Sequence, residues 1–219
     1  MILLDFSQTM IGSFMAMGKG SIVVEEDLLR HTVLNSIRQY KHQFRHVDHG
    51  GFVICCDSPK NWRKESFPEY KANRKKRRET DSTDWTSLFE FLHQMIADLR
   101  EYFPYKVMRV EGAEADDIIA VLTQEEMKNP TTIISSDKDF IQLQKYEGVQ
   151  QWSPLTKSFV KGNPEESLWE KLIKGDVGDG VQTYSHLMIH LSQKVSDRGL
   201  CPKRRWNCGR LIAVIGMRI

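Results

Sequence analysis

Phe52-Val53-Ile54-Cys55-Cys56-Asp57 is a run of five apolar residues that ends on an aspartate. A continuous apolar run of this length, bounded by turn signals, reads as a strand buried on both faces, the habit of parallel sheets. The same grammar recurs along the chain. Ile2-Leu3-Leu4 runs into Asp5, Val107 to Val110 leads to Glu111, Glu114, Asp116 and Asp117, and Thr131 to Ile134 leads to Asp137 and Asp139. A glycine-spaced pair, Asp176 and Asp179, closes the series. In an open α/β sheet the binding crevice lies outside the carboxyl ends of the strands. The acids are therefore expected to converge there, and so many carboxylates in one cleft are tolerable only around cations.

Between these runs the apolar period lengthens to that of helices. Glu25 to Phe44 carries Leu28, Leu29, Val33, Leu34 and Ile37 near a 3.6-residue spacing. Thr83 or Asp84 can cap a helix bearing Leu88, Phe91, Leu92, Met95, Ile96 and Leu99. Ala115 to Met127 forms a third, with Ile118, Ile119 and Leu122 inward; Asp139 can cap a short helix through Leu143, and Pro164 opens one that ends near Lys174-Gly175. Strands separated by helices give the expected fold: α/β, a doubly wound, mostly parallel central sheet flanked by helices.

Composition narrows the class. At 219 residues, 40% hydrophobic and 27% charged, the chain suits one medium domain or one domain plus a small appendage. No apolar stretch approaches the ~20 residues of a membrane span, so no membrane is expected. Cys55 and Cys56 alternate within a strand and read as core thiols, and Cys201 and Cys208 lack histidines at zinc spacing, as befits a reducing cytoplasm. The net charge of +2 hides a segregation: residues 60–81 carry +5, residues 182–219 carry +6, and the remainder carries −9. An acidic body with basic segments suits metal-centred chemistry on a polyanion.

Phosphodiester cleavage needs a nucleophile and neutralisation of charge on the attacking and leaving oxygens, which two divalent ions ~3.5–4 Å apart supply. Magnesium takes a few carboxylates and keeps several waters, so the acids here suffice for two ions. Glu114 in a strand-to-helix turn and Asp116 at the helix N-terminus can bracket one. In Asp137-x-Asp139 an extended backbone points both carboxylates the same way. A lone aspartate at a strand end is ordinarily a cap, and Asp117 is equally a first-turn acid favoured by the dipole. Four strand ends that all turn acidic are not explained that way.

Two further segments suit nucleic acid. The arm Lys60 to Asp81 follows Asp57 almost directly; its cations can clamp phosphates, and Trp62, Phe67 and Tyr70 can stack an unpaired base. Lys171 to Val181 reads as a helix followed by a hairpin in which Gly175, Gly178 and Gly180 allow close approach to a duplex phosphate.

Trp62-Arg63, Tyr70-Lys71 with Asn73-Arg74, Glu114-Ala-Asp116-Asp117, the stretch Ile133 to Phe140, Gln151 to Pro154, and Lys174-Gly-Asp176 with Asp179 together resemble the structure-specific 5′ nuclease (flap endonuclease) superfamily. Within it the likeness is to the T-even-phage ribonuclease H type, 5′→3′ exonucleases that remove RNA primers. It spans about residues 1–181 and implies a PIN/5′-nuclease-like catalytic domain, with 60–81 as a basic helical arch and 165–181 as the first half of a truncated helix–three-turn–helix. The resemblance implies two Mg²⁺ ions, with Mn²⁺ a workable substitute. Asp5, Asp57, Glu114 and Asp116 would hold the catalytic ion, with Asp117 beside them; Asp137, Asp139, Asp176 and Asp179 would hold the second, Asp116 being shared. Arg63 and Lys71 would contact the scissile phosphate and Tyr70 would stack near the unpaired 5′ end. Trp62, Lys64, Arg74, Lys75, Gly175, Gly178 and Gly180 would complete the nucleic-acid surface. The implied substrates are DNA and RNA–DNA hybrids with free 5′ ends or flaps. The implied setting is phage-type replication in the host cytoplasm, as a monomer with single-strand-binding-protein and sliding-clamp partners.

Beyond Val181 the pattern departs from the family, whose motif continues into a second helix. Acids nearly vanish, and one base inserted after the Val181 codon lets the next codons read Pro-Asn-Ile, a family-type sequence. Residues 182–219 are therefore expected to be a frameshifted tail, which the genomic DNA decides. Two rivals remain: a PIN-type ribonuclease, sharing the acidic cleft without arm or hairpin, and a catalytically impaired nucleic-acid-binding product of a broken gene.

Overall fold

The computed structural model describes residues 1–17, 25–125 and 130–183. In chain order these form β1 (Ile2–Asp5), α1 (Phe6–Met17), α2 (Glu26–Gln43), β2 (Phe52–Cys55), α3 (Trp62–Ser66), α4 (Ala72–Glu79), α5 (Trp85–Tyr102), β3 (Lys106–Met108), α6 (Ala115–Glu125), β4 (Thr131–Ile134), β5 (Val149–Ser153), β6 (Ser158–Val160) and α7 (Pro164–Lys174), with 3₁₀ turns at Arg45–Gly50 and Lys138–Lys145. The expected frameshifted tail lies, beyond Thr183, outside the described residues. The chain divides into two compact units, Met1–Asn61 with Thr80–Ser167, and Trp62–Glu79 with Leu168–Ile219.

The first unit is built on a six-stranded sheet in the order β3-β2-β1-β4-β5-β6. The first five strands are parallel and β6 turns back antiparallel at the edge, so the sheet is mostly parallel, as expected. Alternation along the strands feeds two cores. Ile2, Leu4, Ile54, Cys56 and Ile134 pack with α1, α2 and α5, whereas Leu3, Val53, Cys55 and Ile133 pack with α6 and Phe140. The adjacent cysteines thus sit in different cores, both buried, and the sheet is covered on both faces.

The helices follow the expected stripes. All six apolar residues foreseen for α5 are buried, and Asp84, not Thr83, caps it by accepting from the Ser87 amide at 3.1 Å. In α2, Leu29, Val33 and Ile37 are buried while Leu28 is exposed. One expectation needs correction. The cap of the turn after β4 is Asp137, whose carboxylate accepts from the Asp139 amide at 3.0 Å; Asp139 lies inside that turn, which is 3₁₀ and runs to Lys145. A further helix, α1, follows β1 without a loop, and its Phe6, Met10 and Phe14 are buried at every fourth position. No helix among the described residues is long and apolar enough to cross a membrane.

In the second unit, α3 and α4 are short and contain no buried residue, and α4 carries five consecutive cations, Arg74 to Arg78. Lys171 to Val181 is indeed a helix end followed by a hairpin: Asp176 and Val181 exchange backbone hydrogen bonds of 2.9 and 2.8 Å. Gly175 enters it at φ +69°, and a Cβ there would stand 2.5 Å from the Val181 carbonyl oxygen. Gly175→Ala is accordingly expected to open the hairpin, at roughly 1–3 kcal/mol of local strain, read as faster amide exchange at Asp176 and Val181.

Candidate metal centre and nucleic-acid interface

Parallel pairing brings the acidic strand ends to one edge. Asp5, the last residue of β1, stands in register with Cys55, and Leu4 with Ile134, so Asp57 and Asp137 follow their strand ends by two and three residues on the flanking strands. Each acid is anchored by backbone. Asp5 caps α1, accepting from the Gln8 amide at 3.1 Å, and its other oxygen accepts from the Ser135 hydroxyl at 3.0 Å. Asp57 accepts from the Ala115 amide at 2.7 Å, tying the end of β2 to the first turn of α6. Asp117 reaches back to the Glu114 amide at 3.0 Å, half of a capping box, so its structural role in the first turn is real. Helix starts at Asp5 and at Glu114 turn positive dipole ends toward this acidic edge.

The electrostatics report crowding. Burial, then the neighbouring Asp57 and Asp137 carboxylates, push the Asp5 carboxyl up to about 7, against the lowering effect of its Gln8 and Ser135 hydrogen bonds. Asp5 and Glu114 are 7% and 8% exposed, unusual for acids. The Cys55 thiol is raised well above its ordinary value by burial, then by Cys56, Asp5 and Asp116, which sets Asp116 and Asp5 around one point of the sheet. Burial and then Asp57 push Cys56 up to about 12. Both thiols are buried in the cores, and the donors at this edge are hard carboxylate oxygens, the chemistry suited to Mg²⁺ or Mn²⁺.

As they stand, no three acidic, histidine or cysteine side chains among the described residues are gathered closely enough to form a ready-made metal site. Like charges repel, and the carboxylates have taken amide and hydroxyl donors. The set fits a cation through its donor type and the repulsion a cation would relieve. Asp139 stands half-buried in the turn that Asp137 caps.

Three residues that hold this edge together carried no assigned role in the sequence. Ser135 links Asp5 to Asp137, donating to the first and accepting from the amide of the second at 3.1 Å. Gln8, besides capping through its amide, accepts from the Ser136 amide. Gln151, 1% exposed on β5, donates to the Ser135 and Asp137 carbonyls at 2.9 and 2.6 Å. The available signal was polarity where an apolar residue is expected: a serine closing an apolar strand and a glutamine turned inward.

The remaining candidates belong to the second unit. Asp176 pairs with Lys171 at 2.9 Å and Asp179 with Arg74 at 2.7 Å, so here both carboxylates hold cationic side chains. Tyr70 is buried, with the Lys71 ammonium 4.9 Å and the Arg63 guanidinium 5.8 Å from its ring centre; base stacking there requires it to come out. Trp62 is 37% exposed and carries the Arg63 guanidinium at 4.7 Å. Lys64, Lys71, Lys75 and Lys76 line a hollow of about 460 Å³ together with Tyr70 and Glu79. Gly178 and Gly180 sit in the hairpin, Gly180 at φ +79°.

Comparison with known proteins bears on family and fold. The family model "5′-3′ exonuclease, N-terminal resolvase-like domain" matches residues 1–172. Ribonuclease H of Enterobacteria phage T4 is 38% identical over 186 residues, covering 82% of this chain and 61% of that protein. The flap endonuclease Xni of Shewanella sp. (strain MR-4) is 30% identical over 102 residues, 46% of this chain and 35% of its own. The chain thus spans about three fifths of the phage T4 relative and about a third of the Shewanella one. Among solved structures, the bacteriophage T5 flap endonuclease, in a pseudo-enzyme–product complex with DNA and metal ions, superposes with a TM-score of 0.65 at 20% identity, over 83% of this chain and 68% of that one. The T5 5′-exonuclease with bound zinc gives 0.64 at 18% identity, over 93% and 81%. At such identity these two speak for the fold alone. With a family model covering residues 1–172 and the acidic strand ends in place, the chain belongs to the 5′-3′ exonuclease family and carries its N-terminal, resolvase-like domain.

Proposed function

We propose that this chain is a divalent-metal-dependent 5′→3′ exonuclease and flap endonuclease with ribonuclease H activity, removing RNA primers and 5′ flaps during phage-type DNA replication. The observation that carries it is Asp5, a buried carboxyl at a strand end that burial first, and then the Asp57 and Asp137 charges beside it, push upward. Asp5, Asp57, Glu114 and Asp116 would hold one ion, and Asp137, Asp139, Asp176 and Asp179 a second, with Asp117 fixing the turn that presents Glu114. Two Mg²⁺ ions, or Mn²⁺, held by these residues would supply a nucleophile at neutral pH and neutralise charge on the attacking and leaving oxygens.

The chain's own residues do the rest. Ser135, Gln8 and Gln151 keep the acidic strand ends in register without adding charge. Arg63 and Lys71 stabilise the phosphate under attack, and Trp62, Lys64, Tyr70, Arg74 and Lys75 engage the strand that leads to it. Gly175, Gly178 and Gly180 let the hairpin backbone approach a duplex phosphate. Asp176 and Asp179 would share a metal's field with Lys171 and Arg74, the cations they hold here. The chain would act as a monomer in the cytoplasm of a phage-infected host, with a single-strand-binding protein and a sliding clamp as candidate partners.

A 5′-flap duplex, an RNA–DNA hybrid and a free single-stranded RNA, each labelled at the 5′ end, test this with Mg²⁺ and with EDTA. Cleavage of the flap and the hybrid with Mg²⁺ alone is expected. Preference for the free RNA would favour a PIN-type ribonuclease, and binding without cleavage would favour an impaired binder.

A further inference from the structure

The basic arm turns sharply between α3 and α4. Ala72 donates to the Glu69 carbonyl and Arg74 to the Lys71 carbonyl, both at 3.0 Å, and Lys71 sits at φ +56°, in the left-handed region that non-glycine residues avoid. Such a conformation persists only where the surroundings hold it. What holds it is Asp179. The Lys71 amide donates to the Asp179 carbonyl at 3.1 Å, and the Arg74 guanidinium meets the Asp179 carboxylate at 2.7 Å while its Nε donates to the Gly178 carbonyl at 3.4 Å. Asp179 is fixed in turn: its amide donates to Asp176, whose other carboxylate oxygen accepts from Lys171. Close approach is obligatory, since a Cβ on Gly180 would lie 2.8 Å from the Glu69 carbonyl oxygen.

We infer that Asp179 is a positioning residue for the basic arm, anchoring it to the hairpin and setting the turn that presents Lys71 and Arg74. The consequence for function rests on the nuclease reading above, but the anchor itself does not.

Amide hydrogen exchange over residues 68–80, measured on the full chain in EDTA, tests the anchor apart from catalysis. Asp179→Asn and Arg74→Gln, which keep side-chain size, are each expected to speed exchange there about fivefold, the scale of one partly exposed ion pair. The double variant is expected to be no faster than the faster single, because the two changes remove one interaction. Protection in the β1 and β4 peptides reports that each variant is folded. Unchanged exchange in both single variants, or single effects that multiply in the double, would overturn the inference. Steady-state assays add a separate readout: loss of the anchor is expected to raise KM for a flap substrate more than it lowers kcat. A fall in kcat with the 68–80 amides unmoved would make Asp179 a metal ligand only.

Discussion

Asp5→Asn is expected to stabilise the protein in EDTA while removing its capacity to respond to Mg²⁺. In the unfolded chain this carboxyl titrates near its ordinary 3.8, whereas in the fold burial and the charges of Asp57 and Asp137 push it to about 7. The folded state therefore holds a proton that the unfolded state has released, and stability falls as pH rises from about 4 to about 7, then levels off. Three pH units correspond to about 4 kcal/mol, an order-of-magnitude ceiling on what ionised Asp5 costs the fold at alkaline pH. Asparagine keeps the shape, can still accept from the Gln8 amide and can donate to the Ser135 hydroxyl. Melting temperatures across about pH 5 to 8 should therefore slope downward for the native chain and lie flat, and higher, for the variant. Millimolar Mg²⁺ near pH 8 should raise the melting temperature of the native chain only. Parallel pH profiles for the two proteins would remove Asp5 from the metal site.

Asp116→Asn should leave the fold intact and cut single-turnover flap cleavage on the order of 10³-fold, the scale of losing one group aimed at developing charge. Asp116 stands in the first turn of α6, next to the residue whose amide holds Asp57, and it shares with Asp5 an effect on Cys55. Removing one negative charge should leave binding in EDTA unchanged or tighter, because the ligand is itself an anion. Cleavage lost with binding retained distinguishes an enzyme from a binder, and full cleavage by the variant would take Asp116 out of the catalytic set.

What the chain discloses before folding depends on whether apolar pattern and structure coincide. They coincide at β1, β2 and β4, where every residue of three strands is buried, and at α5, whose stripe is complete. They part at α1, since Asp5 ends the strand and caps the helix at once, leaving no turn residues to mark the boundary. They part again at β5, where Gln151 and Ser153 face inward and the usual alternation is inverted. Asp5, Asp57 and Asp137 could be read together because parallel strands end at one edge. Ser135, Gln8 and Gln151, which hold that set, could not, because a polar residue's partner is known only once the chain is folded. The ion pair of Asp179 was equally illegible, Arg74 being over one hundred residues from it.

The register of the sheet also fixes where this protein can tolerate insertion. Asp5 belongs to its strand, and Asp57 and Asp137 are separated from theirs by one and two residues. Adding a residue within those short intervals would swing a carboxylate toward the wrong layer of the molecule. Length changes at the opposite rim, ahead of Phe52, would leave the acids where they are. Homologues should therefore drift in loop length at that far rim while the spacing from strand end to acid stays constant.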